Sequence, residues 1–172
     1  MKTKPVIVLP YDPQWPDNFA AIRQELAAAL GEYALAIEHV GSTSVPGLAA
    51  KPIIDLDVVI SGYDVLEQVC ALLAAIGYEH EGNLGIEGRE AFCYTGKSHL
   101  QKHHLYVCPQ DSQELGRHLA FRDYLRSHPD AVQEYAAAKL QAAADHPQDI
   151  DGYIAAKSPC IEAIYRRCGL HE

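Results

Sequence analysis

The segment Ile53-Ile54-Asp55-Leu56-Asp57-Val58-Val59-Ile60 constrains this chain more than any other. Its β-branched, apolar run predicts a strand, the clearest in the sequence. Side chains alternate along a strand, so Asp55 and Asp57 share one face while Ile54, Leu56 and Val58 occupy the other. Two carboxylates a few ångströms apart repel unless a cation lies between them. Hard divalent ions, above all Mg²⁺, are held by one or two carboxylates together with phosphate oxygens. The pair therefore asks for a phosphate-bearing ligand. The plainer alternative, a strand end with solvated acids, is disfavoured by the apolar residues on both sides.

Upstream, Gly41-Ser42-Thr43-Ser44 is placed to receive such a ligand, with a glycine that permits close backbone approach followed by hydroxyls and free amides. The spacing from Gly41 through Gly47 to Lys51 lacks the adjacent Gly-Lys-Ser/Thr of a P-loop, and no Gly-x-Gly-x-x-Gly fingerprint is present. What remains is a strand, a Gly-Ser turn, a short connection and a strand bearing Asp-x-Asp. That order resembles the nucleotidyltransferase superfamily of the DNA polymerase β type.

Val6 to Leu9 reads as a short strand, Pro16 to Leu30 as a helix ended by Gly31, Leu35 to Val40 as a strand, and Val65 to Ile76 as a helix stopped by Gly77. Tyr78 to Glu81, Ala91 to Thr95 and Leu105 to Cys108 are strand-like, separated by glycine-rich loops. Gln113 to Cys168 reads as about three helices divided at Pro129 and Pro147. The expected fold is α+β in one domain: a small mixed sheet over about residues 1–110, with flanking helices and a helical part over about 111–172. Two helices carry Tyr135-x-x-x-Lys139 and Tyr153-x-x-x-Lys157, each setting a phenol and an ammonium group on one helical face. The simpler account of each is a half-buried tyrosine beside a solvated lysine.

The segments Pro10-Tyr11-Asp12-Pro13-x-Trp15-Pro16, Glu38 to Leu48, Lys51 to Asp55, and Arg122-Asp123-Tyr124-Leu125-Arg126-x-His128-Pro129 resemble the GrpB family along essentially the whole chain. The resemblance implies a nucleotidyltransferase-like fold, and members are sometimes fused to dephospho-CoA kinase. Carried over residue by residue, it implies that Gly41 and Ser42 hold nucleotide phosphates and that Asp55 and Asp57 hold Mg²⁺ or Mn²⁺. Such sites usually have a third carboxylate on a later strand. Here that strand is His103-His104-Leu105-Tyr106-Val107-Cys108, without an acid. His104 shares a face with Tyr106, and its imidazole suits a general base or a ligand to a softer metal such as Zn²⁺.

Other candidates have two readings each. Lys51 neutralises a phosphate or is solvated. Arg89 offers a donor fork to phosphate or carboxylate, or pairs with Glu87 or Glu90 at the surface. Lys139 and Lys157 are the cations an anionic ligand needs and the sheet does not supply. Arg122 and Arg126 read as helix-surface charge, and His39 as either a phosphate-turn contact or a structural histidine. His99, His103 and His104 either join the aspartates around a metal or lie at a loop and strand edge.

The net charge of −9 opposes bulk binding of nucleic acid or of anionic membrane. No segment approaches the roughly 20 apolar residues of a membrane span. The short apolar run after Met1-Lys2-Thr3-Lys4 is too brief for a secretion signal, and five cysteines without Cys-x-x-Cys spacing indicate neither a disulfide framework nor a zinc ribbon. The chain is expected in the cytoplasm. The expected activity is metal-dependent transfer of a nucleotidyl group from a nucleoside triphosphate. The alternatives are a non-catalytic nucleotide-binding module associated with dephospho-CoA kinase, and a His/Asp metal-dependent hydrolase.

Overall fold

A five-stranded mixed sheet carries the Asp-x-Asp strand next to its centre. The computed structural model describes residues 5–170, so Met1 to Lys4 and the last two positions of the expected domain lie outside the described residues. The strands are β1 (Ala36–Val40), β2 (Ile54–Ile60), β3 (Tyr78–Gly82), β4 (Glu90–Tyr94) and β5 (His103–Pro109). The helices are α1 (Trp15–Leu30), α2 (Leu66–Ala75), α3 (Gln113–Ser127), α4 (Pro129–Asp145) and α5 (Ile150–Arg167). The sheet order is β1-β2-β5-β4-β3, with β2 and β5 parallel and the other pairs antiparallel.

One face of the sheet is a dry core. Ile54, Leu56, Val58 and Ile60 from β2 and Leu105 and Val107 from β5 pack there against Ile22, Leu26 and Leu30 of α1 and Val69 and Leu73 of α2. Ile22, Leu26 and Leu30 recur every four residues and form one buried stripe on α1. The opposite face presents Asp55, Asp57, His104 and Tyr106, because the parallel register sets Asp55 beside His104 and Asp57 beside Tyr106. Farther along that face, Val59 and Cys108 pack on Leu115 of α3. A third apolar cluster joins Val45 and Leu48, just after the Gly-Ser turn, to Leu125, Val132, Tyr135 and Ile164 of α3, α4 and α5. This cluster holds the C-terminal helices over the acidic face and creates a cleft there.

Two expectations shift. Val6 to Leu9 is not a sheet strand: Leu9 makes only an isolated antiparallel bridge to Ala50, and Val6 N–H donates to the Pro147 carbonyl. Pro5 and Pro10 flank the run and bring no N–H groups with which to extend a ladder. β5 begins at His103 rather than Leu105, because its pairing with β2 starts at Ile54 opposite His103.

Candidate active site

The turn after β1 is held from beneath. Gly41 has φ 72° and ψ −173°, a conformation essentially restricted to glycine, and Ser42–Ser44 form a single 3-10 turn behind it. The buried His39 stacks on Phe19 at 4.6 Å and bonds Thr43 Oγ1 through Nε2 at 2.9 Å. Burial, with Arg126 and Arg122 nearby, lowers its pKa to about 4, so the ring is neutral at physiological pH. Ser44 Oγ donates to the Gly41 carbonyl. The Thr43 and Ser44 hydroxyls, expected on a nucleotide, bond within the turn, while Ser42 and Thr43 both line the cleft.

Arg122 is largely buried, whereas Arg126 stays exposed, and both bond to β1 or the turn after it. Arg122 donates to Glu38 Oε2 at 2.7 Å and to the His39 carbonyl at 3.1 Å, while Arg126 Nε donates to the Ser44 carbonyl at 2.9 Å. These bonds tie α3 to the turn.

The two aspartates differ sharply. Asp55 is partly exposed, and its Oδ1 meets Nδ1 of the half-exposed His104 at 3.0 Å. Asp57 is 0% exposed; its Oδ2 accepts from His118 Nδ1 at 2.6 Å, while its Oδ1 is buried without a hydrogen-bond partner. His118 Nε2 in turn lies 3.1 Å from Glu114 Oε1. Burial alone would lower the His118 pKa, but the hydrogen bond and charge of Asp57, aided by Glu114, outweigh it and raise the pKa above the ordinary value. Sequence reasoning missed His118. Its only signal was Glu114 four residues earlier on the same helix.

The histidine cluster does not assemble. His103 points into the other side of the sheet, where Tyr78 Oη lies 2.7 Å from Nε2 and the Tyr94 ring stacks on it at 4.4 Å. His99 pairs with Glu25 at 2.7 Å. Among the described residues, no three His, Cys, Asp or Glu side chains group as a metal-binding set, so Asp55, Asp57 and His104 do not form a three-ligand cage. His104 pairs with Asp55 instead.

The cleft has two compartments, and both are lined by Ser42 and Asp55. The first, of about 120 Å³, is lined by Lys51, Lys139, Lys157, Tyr153 and His104 as well. Lys139 is only 3% exposed, and its ammonium donates to Ser42 Oγ and the Ala49 carbonyl. Lys51 and Lys157 lie 5.0 and 4.8 Å from the Tyr153 ring, and Lys139 lies 4.5 Å from that of Tyr135. Among the described residues none of the three forms a salt bridge. Burial, then repulsion from Lys157, lowers the Lys139 pKa to about 7, and burial with Lys51 nearby lowers that of Lys157 to about 8. Burial also lowers that of Lys51. The second compartment, of about 240 Å³, is walled by Tyr106, Phe121, Tyr135 and Tyr165, with Arg89 and His118. The Arg89 guanidinium lies 4.2 Å over the Tyr106 ring instead of pairing with Glu87 or Glu90. Arg89 therefore lies in a different compartment from the three lysines.

A family model described as GrpB protein matches residues 5–167. The chain belongs to the GrpB family. A crystal structure of the conserved protein GrpB from Enterococcus faecalis is 38% identical to this GrpB chain, with a TM-score of 0.82 over 94% of this chain and 96% of that one. The UPF0157 protein YqkA of Bacillus subtilis is 39% identical over 161 residues, covering 94% of this chain and 46% of YqkA. A dephospho-CoA kinase of Mycolicibacterium paratuberculosis is 30% identical over 186 residues, covering 95% of this chain and 46% of that protein. This chain thus spans about half the length of these two curated relatives. No helix among the described residues is long and apolar enough to cross a membrane.

Proposed function

We propose that this GrpB chain binds a nucleoside triphosphate with a divalent cation and transfers the nucleotidyl group to an acceptor hydroxyl. The observation that carries this reading is the convergence of the buried Lys139 and the half-buried Lys51 and Lys157, none of them in a salt bridge among the described residues, on Ser42 and Asp55. Buried ammonium groups without counter-ions cost free energy unless an anion joins them. A triphosphate supplies that anion. The two compartments then divide one nucleotide: phosphates beside the lysines and Ser42, nucleoside among the tyrosines, and the α-phosphate at Asp55, where the compartments meet.

Asp55 and Asp57 fit a hard divalent cation, because Asp57 Oδ1 is a buried carboxylate oxygen that nothing among the described residues satisfies. Mg²⁺ or Mn²⁺ held by these two residues would lower the pKa of the attacking hydroxyl and offset charge on the leaving pyrophosphate. In transfer, the acceptor oxygen forms a bond to the α-phosphorus, the P–O bond to the β-phosphate breaks, and pyrophosphate leaves. With its Nδ1–H donated to Asp55, His104 keeps a free lone pair on Nε2, which takes the hydroxyl proton. Lys139 and Ser42 hold the phosphates in place during this step.

A second reading is supported by the dephospho-CoA kinase relative, of which a segment like this chain makes up 46%. On that reading the cleft binds a nucleotide without turnover, as an accessory module in coenzyme A synthesis.

Thermal-shift titration against the common nucleoside triphosphates, each with Mg²⁺ or Mn²⁺, tests the binding claim. A ligand at 100 times its dissociation constant adds about 2.7 kcal/mol, several degrees for a domain of this size. The expected shift needs both nucleotide and metal and is lost in Asp55→Asn and Asp57→Asn. Full metal-dependent binding in both variants, or no shift with any triphosphate, overturns it. Binding without pyrophosphate release across a panel of hydroxyl acceptors selects the accessory reading.

A further inference from the structure

We infer that Arg89 selects the nucleobase, and that the base it selects is guanine. The inference rests on the nucleotide reading above and adds the identity of the base. Arg89 lies on the wall of the aromatic compartment, its guanidinium 4.2 Å over the Tyr106 ring. Stacking of this kind holds a guanidinium plane in a defined orientation and leaves its edge for hydrogen bonding. Yet among the described residues Arg89 has neither a salt bridge nor a side-chain hydrogen bond, and its Nε is buried without a partner. The neighbouring acid, Glu90, pairs with His80 at 3.2 Å. The Nε is enclosed, but the guanidinium as a whole lines the cleft with no side-chain partner among the described residues, so its fork is free to take one from a ligand.

The other charged groups on this wall are already engaged. His118 spends both ring nitrogens on Asp57 and Glu114, and Asp55 meets His104. Arg89 is thus the charged donor with no commitment, in a compartment whose Tyr106, Phe121, Tyr135 and Tyr165 offer π-faces to a base. Arginine donates and cannot accept, so it favours a base edge with two neighbouring acceptors. Guanine presents O6 and N7 in that arrangement. Adenine sets an amino donor beside N7, which opposes a guanidinium. A purine also covers more of the four-ring wall than a pyrimidine does.

The test is equilibrium binding of the α,β-methylene analogues of GTP, ATP, CTP and UTP, each with Mg²⁺, to the full chain and to Arg89→Gln and Arg89→Lys. Magnesium tripolyphosphate reports on the lysine compartment alone. The expected result is at least tenfold tighter binding of the guanine analogue than of the adenine analogue. Arg89→Gln erases this preference while tripolyphosphate affinity stays within about twofold, which also shows that the variant is folded. Arg89→Lys keeps the charge but loses the fork, and with it most of the preference. Equal affinity for all four analogues overturns the inference, as does a preference for adenine or a pyrimidine, or one that survives Arg89→Gln. Failure of the analogues and of tripolyphosphate alike removes the nucleotide reading itself, an outcome distinct from binding without discrimination.

Discussion

A Cβ atom added to Gly41 would overlap Oδ2 of Asp55, so the turn and the carboxylate occupy space that only glycine leaves open. The positive φ of Gly41 and this close approach are two independent demands on one residue.

Gly41→Ala should therefore act twice. The backbone strain should cost about 1–3 kcal/mol in chemical denaturation. The displaced carboxylate should also weaken metal-dependent triphosphate binding by more than the stability loss explains. A variant that binds normally would show that Asp55 tolerates displacement.

Removal of His118 exposes the cost of burying Asp57. Hydrogen bonds to charged groups are worth roughly 1.5–3 kcal/mol, and His118→Ala should lose about that amount in denaturant unfolding at neutral pH. The variant leaves Asp57 with two unsatisfied oxygens. Millimolar Mg²⁺ should then raise its melting temperature more than that of the unaltered chain. An equal response in both proteins would argue that Asp57 does not meet the cation.

The lowered lysines give the site a pH dependence with opposite signs for binding and for folding. Lys139 at about 7 and Lys157 at about 8 lie below the ordinary 10.5. Between those values the unfolded chain holds more protons than the folded one, so stability without ligand rises with pH across that window. A phosphate ligand favours the charged ammonium groups, so affinity for magnesium tripolyphosphate should fall as pH rises from 7 to 9, with proton uptake on binding. Calorimetry in buffers of different ionisation enthalpy measures both. Lys139→Met should flatten the pH profile.

The pattern of the Asp strand was readable because alternation is a property of the backbone. Once Ile53 to Ile60 is a strand, the acids must share a face, and the neighbouring register then brings His104 to Asp55. Lys139 and Lys157 were visible only as helical repeats, since nothing local reveals that α4 and α5 fold back over the acidic face. Arg122 was misread for the same reason. Its i, i+4 spacing with Arg126 looks like a solvated face until α3 is docked on β1, where Arg122 turns inward and Arg126 stays exposed. His103 and His104 show the limit of counting residue types, because adjacent strand positions face opposite ways. His118 carried almost no signal, for its partner Asp57 lies 61 positions away.

The parallel pairing of β2 with β5 separates Asp55 from His104 by 49 positions, and Lys139 reaches Ser42 across 97. Such contacts form only after long loops have closed, at an entropic cost that grows slowly with length. The cleft therefore has no local precursor in the chain, since its walls come from segments far apart in sequence. A ligand bridging Ser42 and Lys139 would oppose separation of the two halves, and amide exchange should slow in α4 and β2 together when the cleft is filled.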